Sequence, residues 1–140
     1  MTTHLAYALL ALAALRPAQS APSPFVGEWR GESVCLANRG VCHDEVVVYR
    51  IRPDTARRGA LTLDAWKIVN GQEEAMGALA CTADARAAVL TCPMPPQYRP
   101  GTWRFVRRGR SLDGRLTMAD GTVFRRIHVV KADRATGAAR

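Results

Sequence analysis

Lysine is nearly absent from this chain, with two against eighteen arginines, and only nine of 140 residues are aromatic. No apolar run reaches the roughly 20 residues that a membrane-spanning helix needs. The longest, residues 5–15 (LAYALLALAAL), has eleven. Phosphate-binding glycine loops, dinucleotide fingerprints, HExxH and GxSxG are all missing, which excludes the common nucleotide-dependent, metalloprotease and serine-hydrolase chemistries. No helical period persists beyond two turns, so a helical bundle is excluded too. At 48% apolar and 23% charged, the composition is too apolar for disorder. One domain is the expected size.

What is present begins with an address. The apolar run followed by Ala18-Gln19-Ser20 reads as a signal peptide over residues 1–20, with a membrane anchor as the alternative. All four cysteines, Cys35, Cys42, Cys81 and Cys92, lie beyond it, an even number in a chain bound for an oxidising compartment. Two disulfides between sequence neighbours, 35 with 42 and 81 with 92, are expected. Spacings of seven and eleven residues do not fit the paired CxxC of structural zinc.

From residue 21 the chain divides into eight strand-like runs, at 25–35, 45–52, 60–69, 74–81, 88–94, 102–107, 112–118 and 122–130. Asn70-Gly71 and Asp120-Gly121 between them are hairpin turns, because both turn positions favour positive φ. Pairing outward from the turns sets Lys67 against Glu74, Ala65 against Met76 and Leu63 against Ala78. The turn at Asp120-Gly121 sets Met118 against Val123, Leu116 against Arg125 and Gly114 against Ile127, and a turn at Gly109-Arg110 sets Trp103 against Leu116 and Phe105 against Gly114. In the first hairpin a two-residue loop would place Cys35 opposite Cys42 and a three-residue loop would place it opposite His43; the expected disulfide favours the first. Residues 93–101 (PMPPQYRPG) hold four of eight prolines and exclude a central strand.

Eight consecutive antiparallel strands leave exposed edges unless the sheet closes. An all-β, eight-stranded up-and-down antiparallel barrel over residues 21–131 is the expected fold, with a two-sheet sandwich as the alternative and a disordered tail over 132–140. Alternation puts Arg125 on the apolar face of the last strand, where it needs compensation.

Gly27-Glu28-Trp29 near the start of the mature chain, with Arg125 on a late strand, resembles the lipocalins and the wider calycin group. The resemblance implies that Trp29 closes one end of the barrel beneath Arg125, or beneath Arg126 if the register slips by one. The long helix and middle-loop motif of lipocalins are absent. The segments CHDEVVVY (42–49), KIVNG (67–71), LDGRL (112–116) and DGT (120–122) are similar to a group of small exported bacterial proteins of unknown function, which implies export and fold but no activity.

Candidate chemistry is sparse. His43 and Glu45 share a strand face and form at most a two-ligand metal site, needing a third group such as Glu32 or Ser33. Residues 21–98 carry net −1 and residues 99–140 net +8, with Arg104, Arg115 and Arg126 on one outer face and Arg107, Arg108 and Arg110 around one turn. Such a patch suits an anionic partner, whether an acidic protein, a glycan or a lipid headgroup; export and the lack of aromatics on that face disfavour nucleic acid. Small residues in the middle strands, Ala65, Ala75, Gly77, Ala78, Ala80, Ala87 and Ala88, leave room inside for a small apolar ligand lined by Tyr49, Trp66, Met76, Trp103 and Phe105. The expectation is an exported, secreted or periplasmic, non-enzymatic binding protein without a cofactor. Binding of an anionic partner and inhibition of an enzyme are the alternatives.

Overall fold

A computed structural model describes residues 22–133. The expected signal peptide therefore lies outside the described residues, as do residues 134–140 of the expected tail. Ala132 and Asp133 are held in place, the first by its N–H to Glu28 O and the second by Arg110.

Eight strands follow one another: β1 (Gly27–Cys35), β2 (Glu45–Pro53), β3 (Ala60–Val69), β4 (Gln72–Asp84), β5 (Val89–Pro93), β6 (Gly101–Arg108), β7 (Ser111–Met118) and β8 (Val123–Lys131). Each pairs antiparallel with its sequence neighbour, and β8 returns to β1 over seven residue pairs, so the sheet closes into a barrel. The sandwich is excluded. Alternation turns Trp29, Val47, Tyr49, Ile51, Leu63, Phe105, Ile127 and Val129 inward as the core. Fully burying one such side chain is worth roughly 1.5–3 kcal/mol.

Two glycines permit the seams. A Cβ on Gly31 would lie 2.1 Å from the backbone oxygen of His128, so β1 and β8 approach closely only because that atom is missing. At Gly114 the Phe105 ring occupies the side-chain space, 2.5 Å from where a Cβ would stand.

The expected pairings Trp103–Leu116, Phe105–Gly114, Leu116–Arg125, Gly114–Ile127 and Lys67–Glu74 are present. Two bulges displace the others. In β4 the extra residue is Met76, so Ala65 meets Gly77 and Leu63 meets Leu79 rather than Met76 and Ala78. In β8 it is Phe124, so Val123 meets Thr117 rather than Met118. The bulge frees the Phe124 carbonyl to accept Leu36 N–H from the first loop.

Both disulfides join the expected partners, Cys35 with Cys42 and Cys81 with Cys92. The loop argument for the first was wrong, however. The β1–β2 register is that of the three-residue loop, but its ladder stops at Ser33–Glu45. Past that point the chain is free of the ladder and Cys42 swings to Cys35, whose N–H bonds Asp44 Oδ1 at 2.8 Å.

Between β4 and β5 only three residue pairs form. Cys81–Cys92 comes next in that register, and then Pro93, which has no N–H to donate, ends the ladder. Residues 94–100 continue as a loop, and β4 over 72–80 has a strand neighbour on the β3 side alone.

Candidate ligand cavity

The two ends of the barrel differ. One is plugged: Phe25 and Trp29 are completely buried, and Trp29 Nε1 donates to Phe25 O at 2.8 Å. The cation over the indole is Lys131, with Nζ 5.2 Å from the ring. Trp29 does not meet Arg125, which corrects the expected closure. Trp29 pairs with Lys131 and Cys35 with Arg125, so six residues of β1, about 20 Å of extended chain, separate indole from guanidinium. Arg126 faces outward and does not replace it.

Arg125 serves the other end. Its Nη1 donates to Ser33 Oγ at 3.0 Å, its Nη2 donates to His43 O at 3.1 Å, and Glu45 Oε2 lies 3.4 Å from Nη1. Ser33 is the one fully buried polar side chain among the described residues. The inward arginine is thus compensated by a hydroxyl, a carbonyl and a carboxylate.

These groups form one pole of a cavity of about 320 Å³ that opens between the loops and along the free side of β4. Three aromatic rings, Tyr49, Phe105 and Trp103, line the same space. Tyr49 meets Phe105 edge to face at 5.9 Å, and Trp103 stacks on Phe105 at 6.4 Å. Trp103 Nε1 points to Met94 Sδ at 3.0 Å. Ala65, Gly77 and Ala78 border the space, where larger side chains would fill it. Burial pushes the Tyr49 phenol well above its ordinary range; the Glu45 charge adds to this, while Arg125 and Ser33 oppose it. It stays neutral at physiological pH.

Of the five residues expected to line a ligand, Tyr49, Met76, Trp103 and Phe105 do so. Trp66 does not. It points outward, opposite Val48, with the Arg50 guanidinium 5.4 Å from its ring. Met94, Pro95, Gln97 and Tyr98 were missed as lining, although the proline-rich segment they belong to is excluded as a central strand by its sequence.

The His43–Glu45 metal pair is not assembled. His43 is exposed, Glu45 is turned to Arg125, and no group of three His, Cys, Asp or Glu side chains suited to a metal occurs among the described residues. The basic turn also separates. Arg107 lies on the inward side opposite Leu112, with its Nη1 on Gly109 O and its Nε buried without a partner. Arg108 faces Asp113 at 3.7 Å, and Arg110 bonds Asp133 and Lys131 O. Arg104, Arg115 and Arg126 remain together on the outer surface.

The fold and cavity define a cup-shaped antiparallel barrel, compatible in architecture with the lipocalin-like resemblance. No family model matches the chain, and neither a curated protein nor a solved structure matches it.

Proposed function

We propose that this is an exported, non-enzymatic binding protein that holds a compact, mostly apolar molecule in the cup. The observation that carries the reading is the cavity itself: a lining of aromatic and small residues with one polar cluster, the composition of small-molecule sites generally. A volume of 320 Å³ is at the low end of the roughly 300–1,000 Å³ of such sites, so it suits a compact ligand better than a long acyl chain. Binding is favoured over catalysis because the only charged pair at the pole is internally matched and the phenol beside it is held protonated. Export is supported by the apolar leader run and by two disulfides, which persist in oxidising compartments. Kinship with the calycins belongs to the same proposal and rests on Gly27-Glu28-Trp29 and strand order.

The test is titration with the neutral probe N-phenyl-1-naphthylamine. Saturable enhancement of its fluorescence is expected in the parent and is lost in Ala65→Phe, which fills the cavity from β3. Equal enhancement in both proteins, or none in the parent, would overturn the reading.

A further inference from the structure

Strands β1 and β2 carry three arginines, and all three are neutralised. Arg30 meets Glu28 at 2.6 Å, Arg50 bridges Glu28 and Glu73 at 2.9 and 2.8 Å, and Arg52 meets Asp64 at 2.8 Å. Across the barrel that economy stops. Arg104 pairs with Arg115 and Arg115 pairs with Arg126, which sets three exposed guanidiniums in one row over β6, β7 and β8. None of the three has an ion-pair or hydrogen-bond partner among the described residues. Thr91 and Val34 end the row, so no carboxylate flanks it in register.

Like charges directly opposite one another on a sheet are destabilising. The chain keeps two such contacts in succession where one acidic substitution would relieve both. The row lies in a shallow groove of about 670 Å³ whose one carboxylate, Asp113, is already taken by His128 at 2.7 Å and Arg108 at 3.7 Å. Neighbouring strands stand about 4.7–5.5 Å apart, so the backbone positions that carry the three arginines repeat at that interval.

We propose that this row is a binding strip for an acidic polysaccharide lying across the strands, with successive carboxylate or sulfate groups meeting successive guanidiniums. Planar guanidiniums grip such groups in bidentate pairs. A regular charge spacing on the protein selects a ligand whose charges also repeat regularly. No Phe, Tyr or Trp lines the groove, so nothing there stacks a nucleobase, and no large apolar anchor of the kind protein interfaces use is present. The strip is on the opposite side of the wall from the cup and does not depend on it.

The test uses the full mature chain, with alginate and dextran sulfate as probes and calorimetry at physiological salt. Arg104→Gln/Arg115→Gln/Arg126→Gln is expected to weaken binding by about tenfold or more. Arg39→Gln/Arg58→Gln/Arg86→Gln removes the same charge from exposed loop positions and is expected to stay within about twofold of the parent. The row variant should melt no lower than the parent, since it loses only repulsion, and should still bind the naphthylamine probe. Equal losses in the two variants would reduce the effect to net charge and overturn the proposal. So would the absence of binding to either polysaccharide, or tighter binding to single-stranded DNA.

Discussion

The indole of Trp29 is buried on all sides, yet its one polar atom is bonded, to the carbonyl of a residue four positions earlier. Phe25, Trp29 and Lys131 therefore act as one plug. Trp29→Ala leaves a cavity and an unpaired carbonyl, and is expected to cost ~3–5 kcal/mol, read from denaturant unfolding. A loss below about 1 kcal/mol would show that the plug is not structural. The lipocalin resemblance of Gly27-Glu28-Trp29 pointed to Trp29 as a closing residue, and alternation correctly turned Arg125 inward. The cation expected above the indole, Arg125 or Arg126, was wrong: it is Lys131. That choice is set by how far β8 slides along β1, and nothing local to either strand specifies the slide.

Among the elements, β4 and β5 form the weakest link, three ladder pairs and one disulfide. Closing a loop of this length stabilises by ~3 kcal/mol in the chain-entropy view. Cys81→Ala/Cys92→Ala should lose about that much, and hydrogen exchange should show protection falling in β4 and β5 first while β7 and β8 hold. Uniform loss over all strands would mean that the barrel opens as a single unit. At Asp120-Gly121 only the glycine takes positive φ and the two-residue turn does not form. The strand count, the order and the Asn70-Gly71 turn were legible because Asn-Gly fixes a hairpin locally. The bulges were not, since Met76 and Phe124 are apolar residues that look like ordinary members of an alternating strand. Their positions answer to the curvature of the closed sheet.

For the whole molecule, charge sets the response to acid. Hydrogen bonds from Arg30 hold the Glu28 carboxyl below its ordinary range, and those from Arg50 do the same for Glu73. Backbone N–H groups of Ala56 and Thr122 lower Asp54 and Asp120. Each of these groups binds its proton more weakly folded than unfolded. Their contribution to stability is therefore present above the unfolded carboxylate range, about 4, and is lost as pH falls through the lower folded values. A chain of net charge +8 gains further repulsion as they protonate. The denaturant midpoint should hold from neutrality to about 5 and fall as pH is lowered through about 4 and below; a midpoint that rises over that acidic range would contradict the ion-pair assignment. The charge asymmetry between the halves of the chain was visible in composition, but which arginines were matched depended on register across strands.

The uncovered border of β4 leaves the barrel with something a fully closed one lacks, a stretch of extended backbone ready to template another. Crowded copies would join there first, edge to edge. Gly77 breaks the flatness of that border with a positive φ of 122°, and the acidic pair Glu73 and Glu74 stands at its start. A kink and a charge are two of the devices by which sheets resist growing into fibres. Keeping an unfinished seam beside a cavity thus ties the chain to two glutamates outside the cavity and to a glycine that serves both, since Gly77 also borders the space inside.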